Sequence, residues 1–298
     1  MNKKLVLIFS CPDKKGIVAA VSKVLFDNDA NIVESNQHSA KSVSNPHFYM
    51  RIVFDLDSFS PEKNLDRIKI KLNELRNIFG ISYELNDACV KKNAAVFVSK
   101  EDHCLYELLW QTSSGDIFLN IGCIVSNHQV LSSVANFYKV PFIYIPSNFF
   151  VSKNNDGYDV IRLKQEQSIL DEITKYDIDF IILAKYMRIL SPDFINLFNK
   201  KIINIHHSFL PSFPGAKPYL QAYEKGVKII GATAHFVNEK LDDGPIIEQD
   251  VIRINHEDDA EELKRKGKII ERMVLSRAVK FFVEDRIIEY GNKTIVFA

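Results

Sequence analysis

The sequence predicts a mixed α/β protein of two domains, a βαββαβ unit followed by a mostly parallel α/β sheet. The chain has 298 residues, which is long for one compact domain. Residues 3–85 alternate apolar and amphipathic stretches in the order strand, helix, strand, strand, helix, strand. After a polar linker, short Val/Ile/Leu runs alternate with helical stretches, which is typical of a parallel sheet covered on both faces.

Residue spacing defines the elements of the first domain. Leu5 to Phe9 is an apolar run of strand length, and Gly16 precedes a helix with Ile17 on its apolar face. A second helix ends at Gly80, a residue typical of helix C-caps. The order predicts a small ferredoxin-like sandwich with both helices on one face of the sheet. The remaining elements are a strand from Ile32, a strand over Phe48–Leu56, a helix carrying Leu65, Ile68, Leu72 and Leu75, and a strand over Ile81–Leu85.

The second domain follows a linker at 87–93, so the predicted boundaries are 1–86 and 94–298. A long amphipathic helix over 258–285 and a hairpin with a Gly291-Asn292 turn end the chain. In such a sheet, ligands bind beyond the carboxyl ends of the strands. The predicted strands are Ala94–Val98, Ile121–Val125, Pro141–Ile145, Asp179–Leu183, Ile202–Ile205 and Gly231–Asn238.

Composition and charge exclude several classes of protein. The 38 basic residues balance 38 acidic ones, which argues against nucleic-acid binding. No apolar run approaches the roughly 18 residues of a membrane helix, and Leu5–Phe9 is too short for a signal-peptide core. The four cysteines lack a C-x-x-C spacing, which indicates reduced thiols. We therefore expect a cytoplasmic protein with no membrane or nucleic-acid partner.

One strand end carries side chains that acyl-transfer chemistry uses. Asn204 and His206 are two residues apart on a predicted strand, so their side chains point to the same side. His235 lies on the next strand, and Asp242 follows it. An amide can donate to a developing oxyanion, an imidazole can transfer a proton, and a carboxylate can orient the imidazole or accept a proton. On residue types alone, a structural histidine and a plain Asp-Gly-Pro turn stay open as alternatives.

Longer motifs make this region more specific. The strings NIHHSFLPSFPG (204–215), GATAHFV (231–237) and LDDGPII (241–247) closely resemble the folate-dependent formyltransferase family. The resemblance covers residues 94–298 and implies a Rossmann-like domain. It also implies that neither a metal nor a cofactor is needed, since folate is the substrate, and it disfavours a zinc site of His206, His207 and His235. The implied catalytic residues are Asn204, His206 and Asp242, with His207, His235 and Asp243 in support.

The string LAKYMRILSP (183–192) resembles the family's folate-contacting segment. For Leu190, Phe194 and Ile195, plain core packing stays open as an alternative. Lys185 and Lys217 are interpreted as exposed cations. The pterin pocket implied by the resemblance is lined by Met187, Arg188, Leu190, Phe194, Ile195 and Gly215.

The string CPDKKGIV (11–18) after a strand is similar to ACT domains, regulatory modules that often pair and bind small amino acids. The resemblance implies an effector site at Asp13, Gly16 and Ile17 for an amino acid such as glycine or methionine. It also implies a homo-oligomer, either a dimer or a tetramer. A ligand-free dimerisation module with a turn glycine is the open alternative.

An ACT-like module before a formyltransferase-like domain resembles the deformylase branch of the family. Residues 99–105 lack glycine, so the phosphate loop that glycinamide ribonucleotide formyltransferases carry there is not evident. His207 stands where other branches usually have Pro, and Gly215–Tyr219 resembles the deformylase loop. The resemblance implies hydrolysis of 10-formyltetrahydrofolate to tetrahydrofolate and formate, which supplies purine biosynthesis and balances the one-carbon pool. The alternatives are formyl transfer to glycinamide ribonucleotide, formylation of an aminoacyl-tRNA, and a catalytically silent amino-acid sensor.

Overall fold

The protein folds into two compact units. The computed structural model describes residues 3–40, 46–56, 61–146, 156–199, 201–211 and 218–298. The N-terminal unit comprises the chain up to Lys91 together with residues 284–290 and 295–298. The second unit comprises residues 92–283 and 291–294.

The N-terminal unit has the predicted βαββαβ order. Its sheet has the strand order β2-β3-β1-β4, and all neighbouring strands are antiparallel. Gly16 precedes the first helix with φ of 93°, a left-handed conformation that glycine adopts without strain. The elements are β1 (Lys3–Pro12), α1 (Ile17–Phe26), β2 (Ala30–Ala40), β3 (His47–Leu56), α2 (Pro61–Phe79) and β4 (Ser82–Asp87).

The central strand β3 is buried on both faces. Its even-numbered residues from Phe48 to Leu56 join the core that the two helices cover. Its odd-numbered residues Tyr49, Arg51 and Val53 lie on the opposite face and are also buried. On that face the Tyr49 ring lies 5.5 Å from the ring of Tyr290, so the end of the chain covers it.

Arg51 explains why residues from the end of the chain belong to this unit. Its side chain is 4% exposed, and its Nη1 atom lies 3.0 Å from Oε1 of Glu34. Its Nε and Nη2 atoms donate to the carbonyl oxygens of Asp285 and Glu284, each at 2.9 Å. A buried guanidinium needs such acceptors, and here backbone carbonyls supply them. The sequence, by contrast, assigned every residue after 93 to the second domain.

The second unit is built on a seven-stranded sheet with the order β11-β10-β9-β8-β5-β6-β7. The strands from β9 to β7 are parallel, and β10 is antiparallel to both of its neighbours. The predicted mostly parallel sheet is therefore confirmed. The elements of this unit and the hairpin at the end of the chain are β5 (Lys92–Val98), α3 (His103–Ser114), β6 (Leu119–Ser126), α4 (Ser132–Phe137), β7 (Phe142–Tyr144), α5 (Asp156–Ile173), β8 (Phe180–Leu183), α6 (Pro192–Phe198), β9 (Ile202–His206), α7 (Pro218–Glu224), β10 (Ile229–Phe236), β11 (Ile246–Arg253), α8 (Ala260–Val283), β12 (Ile287–Tyr290) and β13 (Lys293–Val296).

The strand order places the segments that follow β5, β8 and β9 next to one another, at the carboxyl ends of the parallel strands. β5 pairs with β6 on one side and with β8 on the other, and β8 pairs with β9. The carboxyl ends of β5, β8 and β9 therefore lie side by side, at the edge where sheets of this class bind ligands. The sequence missed β11, because this edge strand mixes polar residues with half-exposed apolar ones and has no clear hydrophobic pattern.

Two further sequence expectations concern helices and thiols. Within the described ranges, no helix is long and apolar enough to cross a membrane. All four cysteines are free thiols, as the spacing predicted. Cys11, Cys104 and Cys123 are buried, and Cys89 is exposed.

Replacing Arg51 with methionine tests the role of its donors. The change keeps the apolar stem but removes the donors to the Glu284 and Asp285 carbonyls and one of the two arginines that pair with Glu34. We expect Arg51→Met to lower the free energy of unfolding by about 3 kcal/mol in urea titrations, the usual order for breaking a buried pair.

A matched control is Lys23→Met in helix α1. Lys23 pairs with Asp27 at 3.0 Å, but its side chain is 73% exposed. Its replacement should change the free energy of unfolding by less than about 0.5 kcal/mol. Equal stabilities of the two variants would contradict the assigned role of Arg51.

Candidate active site

Strands β9 and β10 bring two predicted side chains into contact. Asn204 and His235 are cross-strand partners in this antiparallel pair. Nδ1 of His235 lies 2.8 Å from the carbonyl oxygen of Phe236, which can only accept, so Nδ1 carries the proton. Nε2 of His235 then acts as an acceptor, and the Asn204 amide nitrogen donates to it at 3.2 Å. His235 therefore fixes the orientation of the Asn204 carboxamide.

Asp242 reaches these strands from the loop between β10 and β11. Its φ is 54°, a left-handed conformation that aspartate tolerates better than most residues. Gly244 lets the loop pass close to the end of β10, since a Cβ atom there would lie 1.7 Å from the Phe236 carbonyl oxygen. As a result, Oδ2 of Asp242 lies 3.3 Å from Nδ1 of His206, and Oδ1 lies 3.7 Å from Nε2 of His235.

The charge of Asp242 determines how His206 can act. A hydrogen bond from His206, the largest contribution, holds the pKa of Asp242 well below its usual range. The carboxylate is therefore ionised at neutral pH and favours a proton on Nδ1 of His206. Nε2 of His206 is buried and has no hydrogen-bond partner among the described residues. This arrangement leaves one imidazole nitrogen for a reacting group.

A cavity of about 250 Å³ lies beside the segment after β8. Met187, Arg188 and Leu190 line it, together with Arg162 and Glu166 of α5. Among the other residues of the predicted pterin pocket, Phe194 and Ile195 lie in the hydrophobic core of the sheet, and Gly215 lies outside the described residues, as does Lys217.

Buried hydrogen bonds hold both ends of this segment. At its start, Oγ of Ser99 accepts from the Met187 amide at 3.0 Å and donates to Asn127 at 2.7 Å. At its end, the carboxylate of Glu166 accepts from the amide and the hydroxyl of Ser191. Arg162 donates to the Ile189 carbonyl at 2.8 Å. The backbone that lines the cavity is therefore fixed before any ligand binds.

A second cavity, of about 450 Å³, surrounds an ion cluster that sequence reasoning missed. Glu271 of α8 is 1% exposed and accepts from Nε2 of His103 at 2.8 Å and from the Tyr219 hydroxyl. Nζ of Lys185 lies 3.1 Å from the same carboxylate. The interpretation of Lys185 as an exposed cation is therefore wrong: it is 8% exposed, because Glu271 provides a buried partner.

This cluster controls the protonation of its neighbours. Burial opposes ionisation of Glu271, but the His103 hydrogen bond and the Lys185 charge outweigh it and lower its pKa to about 2. Burial, followed by the charge of Lys185, lowers the pKa of His207 to about 4, so His207 is neutral at physiological pH.

One group in the described part of the chain could by geometry hold a metal ion. Donor atoms of His103, Cys104 and Glu271 lie within 4.8 Å of one another. Because the Lys185 ammonium already neutralises the Glu271 carboxylate, this group suits a cation poorly. The three histidines that the sequence raised as a zinc alternative do not form such a group among the described residues.

The remaining predicted residues have surroundings that differ from one another. Asp243 pairs with Lys240 at 3.0 Å on the surface. Asp13, Gly16 and Ile17 lie in the N-terminal unit, where Asp13 is exposed and Ile17 is buried. His207 lines the second cavity, and its ring centroid lies 5.2 Å from that of His206.

Comparisons with known proteins identify the family. The formyl transferase family model matches residues 92–279, and the ACT domain model matches residues 5–71. A formyltetrahydrofolate deformylase from Bacillus subtilis is 45% identical over 98% of this chain and 93% of its own length. The chain belongs to the formyltetrahydrofolate deformylase family. The ACT resemblance and the formyltransferase resemblance are thereby both confirmed.

Solved structures of deformylases match this chain, and so do solved structures of glycinamide ribonucleotide transformylases. A formyltetrahydrofolate deformylase from Pseudomonas syringae matches with a TM-score of 0.89 and 37% identity, over 100% of this chain and 95% of that one. A glycinamide ribonucleotide transformylase from Symbiobacterium toebii matches with a TM-score of 0.63 and 26% identity, over 70% of this chain and 95% of that one. The deformylase family therefore shares the fold of its second unit with transformylases.

The lowered pKa of Glu271 predicts a specific acid sensitivity. Because its folded pKa of about 2 lies below the ordinary 4.5, its stabilising effect is complete above about pH 5 and is lost as the pH falls towards 2. The linked free energy is about 3 kcal/mol. Thermal unfolding measured across this range should show that Glu271→Gln loses less stability on acidification than the unmodified protein.

Glu257→Gln is the control, since Glu257 is exposed on the surface ahead of helix α8. Its unfolding midpoints should follow those of the unmodified protein at every pH. A Glu271→Gln variant with the same acid sensitivity as this control would show that the cluster does not lower the pKa of Glu271.

Proposed function

We propose that the protein hydrolyses 10-formyltetrahydrofolate to tetrahydrofolate and formate, with Asn204, His206 and Asp242 as its catalytic residues. The observation that carries this proposal is the Asp242–His206 pair beside Asn204, at a strand end where this fold class binds ligands. The full-length match to proteins named formyltetrahydrofolate deformylase supports the reaction.

In the proposed mechanism, water adds to the formyl carbon and the bond from that carbon to N10 then breaks. Asp242 orients the attacking water and holds the proton of His206 on Nδ1. Nε2 of His206 takes a proton from the attacking water and then passes it to the leaving N10 atom, and the second hydrogen of the Asn204 amide donates to the developing oxyanion. The water thus supplies an oxygen to formate and a proton to tetrahydrofolate, so the atoms balance.

We assign folate binding to the cavity of about 250 Å³ lined by Met187, Arg188 and Leu190. The hydrogen bonds of Ser99 and Glu166 support this assignment, since they hold the lining backbone in one conformation. Phe194 and Ile195 would then support the pocket from the core. We also propose Gly215 as a folate contact, as the family resemblance implies.

The proposed reaction uses neither a metal nor a cofactor. Water attack assisted by a carboxylate, an imidazole and an amide is sufficient for acyl transfer to water. The proposed location is the cytoplasm, where the three buried free thiols would stay reduced. There the reaction would return tetrahydrofolate to the one-carbon pool and release formate for purine biosynthesis.

The N-terminal unit is proposed to bind a small amino acid such as glycine or methionine at Asp13, Gly16 and Ile17. The match of residues 5–71 to the ACT domain model supports a regulatory role. A side chain added at Gly16 would meet no atom within 4 Å, so there is open space beside this turn. We propose a dimer or tetramer as the working assembly.

Formate release from 10-formyltetrahydrofolate without any added acceptor is the direct test of the reaction. We expect turnover by the unmodified protein. Asp242→Asn should lower kcat by about 10²–10³-fold, because a neutral amide cannot hold His206 in the required protonation state. Formate can be quantified by a coupled dehydrogenase assay, with circular dichroism as the check on folding.

Asp171→Asn provides the matched control for this substitution. Asp171 lies exposed on α5, and its only assigned role is to accept from Gln167 at 2.8 Å. This variant should retain full turnover. Formate production that requires an added amine, or that survives unchanged in Asp242→Asn, would refute the hydrolytic mechanism.

The effector proposal is tested by titrating single amino acids into the same assay. Glycine or methionine should change the rate at millimolar concentration, whereas acetate, which lacks the ammonium group, should not. A rate that is constant with all twenty amino acids would show that the N-terminal unit is not an amino-acid sensor under these conditions.

A further inference from the structure

The cavity of about 450 Å³ lies next to the proposed reaction centre. His207 follows catalytic His206 directly and lines this cavity, as does Tyr219. Met187 lines both this cavity and the proposed folate cavity. A molecule in the larger cavity would therefore lie beside His207 and close to the proposed folate cavity.

The charged side chains of this cavity are matched in number. Among the described residues, three lysines line it, Lys185, Lys264 and Lys268. Three glutamates, Glu101, Glu261 and Glu271, line it as well. His207 adds no charge at neutral pH, because burial and the charge of Lys185 keep its pKa near 4. Over the residues that the structure describes, the charges that line the cavity therefore balance.

Two of the lysines are held by carboxylates at short distance. Nζ of Lys268 lies 2.6 Å from Oε2 of Glu101, and Nζ of Lys185 lies 3.1 Å from Oε2 of Glu271. Glu101 precedes helix α3, whose N-terminus favours an anion. The protein therefore places its own carboxylates where an incoming anion would otherwise be attracted.

The pairing of these lysines bears on which acceptor the protein can use, because the fold is shared with enzymes that act on a phosphorylated acceptor. The matching structure from Symbiobacterium toebii is named a glycinamide ribonucleotide transformylase, and a ribonucleotide is an anion because of its phosphate. A phosphorylated acceptor needs cations or backbone amides that are available to it. Lysines that are already paired offer little attraction, whereas neutral water is not affected by this pairing.

We propose that the Glu101–Lys268 and Glu271–Lys185 ion pairs determine acceptor specificity, by keeping this cavity attractive to water and unattractive to phosphorylated acceptors. This inference rests on the proposed hydrolytic function and adds the residues that keep water as the acceptor. Removing one carboxylate would leave its lysine available and convert the cavity into an anion-binding site.

The test uses inorganic phosphate with Glu101→Gln in the full-length protein. Glu101 is partly exposed, with 30% side-chain exposure, so its replacement is compatible with folding. We expect phosphate to bind this variant at least about tenfold more tightly than the unmodified protein. The reason is that Glu101 no longer neutralises the positive charge of Lys268, which then attracts the anion. Binding is measured by phosphate-dependent thermal shift and by titration calorimetry, neither of which depends on turnover.

The same variant should also become sensitive to phosphate in the formate assay. Phosphate in the cavity would occupy the path of the attacking water, so the rate should fall about twofold at half-saturation. The double variant Glu101→Gln/Lys268→Gln restores the charge balance and should lose both effects. Glu262→Gln is a further control. It removes the carboxylate that pairs with Arg265 on helix α8, and neither residue is among those that line the cavity.

Three results would overturn the proposal. The first is a folded Glu101→Gln variant that binds phosphate no more tightly than the unmodified protein. The second is equal phosphate binding by Glu262→Gln. The third is phosphate binding that persists in the double variant. Glu271→Gln provides an independent repeat at the buried pair, with the same expected gain. A lack of formate release by the unmodified protein would refute the proposed function instead, so the two failures are distinguishable.

Discussion

The carboxylate of Glu271 is the interaction on which the architecture of the second unit depends most. It receives hydrogen bonds or ion pairs from the start of α3, from Lys185 two residues after β8, and from α7. A buried charge of this kind is tolerated only when several donors surround it. These donors come from three separate parts of the chain. One side chain therefore ties α8 to the edge of the sheet where the proposed catalytic residues lie.

The chemistry at that edge follows from strand geometry. Alternation along β9 puts Asn204 and His206 on one side, and antiparallel pairing with β10 adds His235 to them. The loop after β10 then needs only a tight turn, which Gly244 permits, for Asp242 to reach the imidazole of His206. Regular secondary structure thus positions most of the site, and a single irregular loop completes it.

The sequence predicted the features that depend on local pattern. Hydrophobic periodicity identified the βαββαβ order and the strands of the parallel sheet, and alternation placed Asn204 and His206 together. It could not predict the Glu271 cluster, because His103 and Glu271 are 168 residues apart and no local pattern relates them. One signal was available: Glu271 falls on the apolar face of α8, between Ile270 and Val274. A charge at such a position indicates a buried partner.

Strand β3 is buried on one face by the helices of its unit and on the other by residues 284–290. These two faces are covered at different stages of synthesis. Ribosomal synthesis delivers Arg51 long before its carbonyl partners, because Glu284 and Asp285 follow it by 233 and 234 residues. Until then the guanidinium and the second face of this central strand stay in contact with water. The N-terminal unit is therefore completed only after residues 92–283 of the second unit have been synthesised.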